Sequence, residues 1–336
     1  MSLLRKSSAA TKGLIALGLG VAILSSSSCS SEESGSQVLT DLGPTGNARV
    51  ASTFASYKAK GYGCYASGYG KRAIVTGFGL FEGAAFNISG TVVSALGHKT
   101  FTPWDVSLSA AAPTATMTPS SYWGLLRNED FGGRVVNRTI RIDGEYISVC
   151  FITLDVIWDL AASIIVHEMN RFEPHLVLMS GRGGGYAGVE YGAVNSATPY
   201  SGFAASGARI PDNTPVDYDA KILVDGPDSI AMTWPQAAMA SAMRGQLRGV
   251  NTQVYSESRA RPENDYICNN VSYVALAAAQ GLPISLAGGR IPTMTLDLSV
   301  EPKVGFFHYP YSAGRTASEL TAWSRGILAM IKTGVN

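Results

Sequence analysis

Short apolar runs that alternate with helical patterns are what most constrain the fold of this chain. Ala73-Ile74-Val75-Thr76-Gly77-Phe78 is such a run and reads as a buried strand. Residues 89–96 follow as a helix, with Val92, Val93 and Leu96 on one face. The alternation continues along the chain. Further strands are predicted over 146–154, 175–179, 252–256 and 304–309 and within 222–232, and helices over 158–172, 235–248, 268–279 and 317–331. Pro235 opens one helix and Gly249 closes it, while Gly281 ends another, in keeping with helix punctuation. This order predicts an α/β fold, a three-layer α/β/α sandwich around a largely parallel, mixed sheet. Apolar residues make up 46% of the 336, enough for the core such a sandwich needs.

The N-terminal stretch does not fit that pattern. Arg5, Lys6 and Lys12 precede an apolar run of about 12 residues, Gly13 to Leu24, too short to span a bilayer comfortably. Ser25-Ser26-Ser27-Ser28-Cys29 follows. Small residues leading to a cysteine resemble a bacterial lipoprotein cleavage site, with Ser26 where Leu is usual. Residues 1–29 are therefore expected to be a signal peptide and Cys29 the lipidated residue. That predicts an extracytoplasmic protein, in the periplasm or at the cell surface, held to the membrane by a lipid anchor alone. Ordinary secretion with cleavage nearby fits the same residues. Residues 30–70 are taken as a flexible tether: Ser30 to about Ala51 is rich in Ser, Gly, Glu and Thr, while 52–70, with Tyr57, Tyr62, Tyr65 and Tyr69 among glycines, suits a packed arm or a continued linker. The domain is expected over 71–336, with a Pro-, Ser- and Ala-rich insertion at about 100–133.

Charge and cysteine content narrow the function. Lys plus Arg total 26 against 25 for Asp plus Glu, so no basic face for nucleic acid is indicated. No cysteine or histidine cluster has metal-site spacing, and no cofactor is expected. Outside the cytoplasm Cys64 and Cys150 are free to pair, but two unplaced cysteines do not decide the matter. The Gly181–Gly188 stretch contains GxGxxG, yet it runs into loop-like residues rather than opening a helix, which argues against a nucleotide.

Cys268 is the candidate nucleophile. It opens the helical pattern of 268–279, and a helix N-terminus stabilises thiolate through its dipole and exposed N–H groups. Those N–H groups also suit an oxyanion. A structural buried cysteine fits the same local context. His308 ends the strand-like run Val304-Gly305-Phe306-Phe307, where a base can face the open edge of an α/β sheet. A histidine satisfied within the core fits equally well.

Five segments, in order, resemble those of the pyroglutamyl-peptidase family of cysteine peptidases. They are IVTGFGLFEGAAFNIS at 74–89, EYGAVN at 190–195, RIPDN at 209–213 with Asp217, YICNN at 266–270 and GFFHYP at 305–310. The resemblance implies a triad in which Cys268 is nucleophile, His308 is base and then acid, and Glu190 orients His308. It also implies that Phe78, Phe81 and Asn87 line or support a lactam pocket, and that the substrate is a peptide. Core packing is the plainer reading for both phenylalanines. Leu80 stands where the family has Pro, Tyr191 where it has Arg, and Glu263-Asn264-Asp265 where it has Ala-Gly-Thr. Hydrolysis through cysteine is thus implied more firmly than strict pyroglutamyl specificity. A related thiol amidohydrolase, or a lipid-anchored binding protein on the same fold, are the alternatives. A homo-oligomer is compatible with the sequence and not required by it.

Overall fold

The computed structural model describes residues 43–68, 70–80, 86–98, 105–110, 134–197, 221–260 and 266–336. Its centre is strand β1 (Lys71–Phe78), hydrogen-bonded in parallel to β4 (Glu145–Leu154) on one side and β5 (Leu176–Arg182) on the other. Strand β10 (Lys303–Tyr309) runs parallel to β5. These four strands are buried on both faces, which is why they read as near-continuous apolar runs.

Shorter strands complete the sheet on both flanks. On one side β3 (Val135–Ile142) is antiparallel to β4, and β2 (Asp105–Val106) is parallel to β3. On the other, β6 (Ala187–Val189) is antiparallel to β10, and β9 (Val254–Ser256) is parallel to β6. The order is β2-β3-β4-β1-β5-β10-β6-β9, so the sheet is mixed and mostly parallel, as expected. A separate antiparallel pair joins β7 (Gly192–Val194) to β8 (Ser229–Ala231).

Helices cover both faces. On one lie α2 (Ile88–Gly97), α4 (Gln236–Gln246) and α6 (Ala317–Val335); on the other lie α1 (Gly43–Ala59), α3 (Leu160–Phe172) and α5 (Ile267–Ala279). Thr316 and Glu319 form a reciprocal capping box at the start of α6. The three layers match the expected sandwich.

Three expectations are corrected. Residues 43–68 are not a flexible tether. Helix α1 packs on α3, with Val50, Phe54 and Tyr57 in the core. The chain after it is fastened by a Cys64–Cys150 disulfide and by the buried Glu168 carboxylate, which accepts from Tyr57 Oη at 2.8 Å and Cys64 N at 2.6 Å. Val50, Phe54 and Tyr57 are its only large apolar residues among small and polar ones, a weak amphipathic signal, which is why the sequence hid this helix. Secondly, part of the region taken as an insertion belongs to the sheet: β2 lies in it, and Arg325 of α6 donates to the carbonyls of Ser107, Leu108 and Ala110. Thirdly, the strand expected within 222–232 is β8, but it lies outside the main sheet. Strand β3 is absent from the sequence-based expectation because Asn137, Arg138 and Arg141 interrupt its apolar residues. Its signal was nevertheless present. Asp143-Gly144 joins it to β4 with positive φ at both residues (46° and 93°), the hairpin turn that an Asp-Gly pair favours.

Candidate active site

The site follows from side-chain alternation along β10. Phe307 and Tyr309 point to the face covered by α6, where their rings lie 6.1 and 5.3 Å from that of Trp323. Phe306 and His308 therefore point to the other face, the one covered by α3 and α5, with their rings 4.9 Å apart.

Strand β6 brings Glu190 to the same face. Its register sets Val189 opposite Phe307 and Gly188 opposite His308. One residue on, Glu190 N donates to Phe306 O at 3.1 Å, so Glu190 lies opposite Phe306 and diagonal to His308. The Glu190 carboxylate Oε1 meets His308 Nε2 in a short hydrogen bond. Glu190 is 1% exposed and the His308 side chain 14%, so the pair lies at the margin of the core, with the imidazole reaching solvent. The other ring edge, carrying Nδ1, faces Gly183 in the turn after β5. A Cβ there would sit 2.6 Å from Nδ1, so only glycine leaves the ring in place.

Cys268 is the second residue of α5 and is fully buried. It lies in a first turn whose N–H groups lack acceptors within the helix, the setting that favours thiolate. Two asparagines fix this turn. Asn269 Oδ1 accepts from Val194 N at 2.8 Å, and its Nδ2 donates to Val194 O and Ser196 O. That ties the turn to the segment that leaves Glu190. Asn270 donates to the Asp159 carboxylate at 3.4 Å, whose other oxygen accepts from Ala287 N at 2.7 Å. Asp159, at the N-terminus of α3, holds a positive φ of 56° and is buried. Sequence reasoning missed Asp159; a lone Asp before a helix reads as an ordinary cap, and its partners lie more than 100 residues away.

The structure thus joins His308 to Glu190 and mounts Cys268 on a helix over the same sheet face. The Cys268 sulfur is disulfide-bonded in this structure. Reduction must therefore precede any thiolate chemistry. Phe78 is in the core at the end of β1. The Asn87 amide is occupied: Nδ2 donates to Gly79 O at 2.9 Å, and Oδ1 accepts from Ser89 N and Oγ. It caps α2 and holds the turn after β1. Phe81 and Cys29, like residues 209–213 and Asp217, lie outside the described residues. Asn195, in the EYGAVN segment, is likewise a loop holder, accepting from Leu223 N and donating to Leu223 O and Gly226 O.

No family model matches this sequence. Over 199 residues it is 26% identical to a pyrrolidone-carboxylate peptidase of Vibrio campbellii, a match spanning 52% of this chain and 84% of that protein. It is also 26% identical over 194 residues to pyrrolidone-carboxylate peptidase 1 of Streptococcus pneumoniae, spanning 54% of this chain and 74% of that protein. Among solved structures it is similar to the pyroglutamyl peptidase I of Bacillus amyloliquefaciens, with a TM-score of 0.47 and 15% identity over 80% of this chain and 96% of that one. By these sequence matches the chain is similar to the pyrrolidone-carboxylate peptidases.

Proposed function

We propose that this protein is a cysteine peptidase that removes an N-terminal pyroglutamyl residue from peptides. The observation that carries the reading is the Glu190–His308 pair, on the sheet face over which α5 carries Cys268. Glu190 holds the imidazole by Nε2, and proton transfer is assigned to Nδ1. The Cys268 thiolate attacks the carbonyl carbon of the pyroglutamyl residue, and N–H groups at the start of α5 stabilise the oxyanion. The C–N bond breaks as His308 protonates the leaving amine, and a thioester remains. His308 then takes a proton from water, whose oxygen attacks the thioester. Pyroglutamic acid leaves and the thiolate is restored. Every group in this cycle is a side chain or backbone N–H of the chain itself.

We further propose that the mature protein is anchored by a lipid on Cys29. The basic, apolar and small-residue stretch ahead of Cys29 supports this. The two proposals are compatible chemically. Acylation consumes the Cys29 sulfur, and Cys64 and Cys150 bond each other, so the acylated chain carries Cys268 as its remaining cysteine.

Release of aminocoumarin from a pyroglutamyl conjugate under reducing conditions tests the activity. Turnover that stops on alkylation supports the reading. Binding without release in the reduced protein would instead favour a lipid-anchored binding protein.

A further inference from the structure

The sheet face that carries His308 continues past β6 to β9. In the β10–β6–β9 register, His308 lies opposite Gly188 and Gly188 opposite Tyr255. Side chains in one cross-strand row share a face, so Tyr255 projects on the same side as His308. The neighbouring residues bear this out: Val254 is 2% exposed on the α4 side, whereas Tyr255 is 48% exposed. Tyr186 lies two residues before Gly188 and shares its face. Its ring leans over Gly188, where an added Cβ would stand 3.5 Å from the ring edge. The Tyr186 and Tyr255 rings meet edge to face at 5.6 Å. Gly188 contributes no side chain, so a shallow ledge runs from the imidazole to an exposed aromatic pair.

From these positions we infer that Tyr186 and Tyr255 form a substrate subsite on the leaving-group side, which favours an apolar or aromatic residue. The inference rests on the proposed peptidase reading and extends it to what lies beyond the scissile bond. An N-terminal cyclic residue has no chain before it, so all the remaining peptide extends on the leaving side. Toward β5 the His308 face is roofed by α3 and α5, while toward β9 it is open. Two strand spacings separate Tyr255 from His308, about 10 Å between backbones. An extended peptide covers about 3.3–3.6 Å per residue, so the second and third residues past the bond cover the span of about 5–10 Å from Gly188, under the Tyr186 ring, to Tyr255. Aromatic faces favour apolar and aromatic side chains through area and ring geometry, and the solvent-facing hydroxyls tolerate the wet margin.

The test compares two peptide amides, pyroglutamyl-Ala-Phe and pyroglutamyl-Ala-Gly, under reducing conditions. The unmodified protein is expected to show a kcat/KM roughly three- to tenfold higher for the Phe peptide, carried by KM. Tyr255→Ala should bring the ratio to about one while leaving the Gly peptide within about twofold; Tyr255→Phe should keep the preference. Tyr186→Ala is a second variant with the same expectation, and each is checked by circular dichroism. Ratios unchanged in folded Tyr255→Ala and Tyr186→Ala would overturn the subsite while the peptidase reading stands. No hydrolysis of either peptide by the reduced, unmodified protein would overturn the peptidase reading, and the subsite with it.

Discussion

At the level of single residues, the proposed cycle makes three groups unequal partners. In it Cys268 forms and loses the covalent bond, His308 moves protons, and Glu190, which is buried and hydrogen-bonded to the ring, orients the imidazole. Cys268→Ala should therefore reduce release of aminocoumarin to background, since no other side chain in the proposed site can form the thioester. His308→Ala is expected to lose about 10⁴-fold in kcat, and Glu190→Gln about 10²-fold, because an amide still orients the ring but does not stabilise imidazolium. Losses within such a unit do not add, so the Cys268→Ala/His308→Ala double variant should match Cys268→Ala alone. A double variant much worse than the single one would mean that His308 acts outside the cycle. The sequence made Cys268 and His308 visible through local context, a helix start and a strand end. Glu190 came only from the family resemblance, because its pairing with His308 depends on an antiparallel register across 118 residues. Nothing in a three-residue strand such as Ala187–Val189 announces that register.

Two connections between elements each yield a prediction. Asp159 links α3, the α5 turn next to Cys268, and the backbone at Ala287. Asp159→Ala removes the acceptor from two buried donors and should lower stability by about 2–4 kcal/mol, read as a drop in the urea midpoint. An unchanged midpoint would mean the link contributes nothing. The second connection is Glu168, which clasps the segment after α1. Burial pushes its carboxyl above the ordinary 4.5, opposed by the Cys64 N–H, the Tyr57 hydroxyl and the Arg171 charge. In the folded state Glu168 therefore holds its proton to higher pH than in the unfolded chain. Its contribution is fully present below about pH 4.5 and fades as pH rises through the folded value. Stability should fall with rising pH across that window relative to Glu168→Gln, in which the titration is absent. Parallel pH profiles for the two proteins would contradict this. The central parallel strands were readable because burial on both faces makes them uniformly apolar. Helix α1 was not, since what holds it is a disulfide and a buried carboxylate contributed from distant parts of the chain.

Across the whole molecule, the N-terminal region is the point where fold and location meet. The Cys64–Cys150 disulfide closes a separation of 86 residues and pins the segment after α1 to β4. A bridge of this kind suits an oxidising compartment, in line with the proposed export and anchoring. Among the described residues no helix is long and apolar enough to cross a membrane, so attachment in this account rests on the lipid alone. The bacterially expressed protein should partition into the detergent phase of a Triton X-114 extract, and Cys29→Ala should shift it to the aqueous phase. Equal partitioning of the two would remove the anchor. The account as a whole depends on one covalent event, acyl transfer to Cys268. Reduced protein mixed with a pyroglutamyl peptide, quenched in acid within the first turnover and digested, should give a Cys268-containing peptide heavier by one pyroglutamyl acyl group. That adduct should disappear with time and never form in His308→Ala at a comparable rate. Hydrolysis that proceeds without any adduct on Cys268, or that survives in Cys268→Ala, would contradict the account.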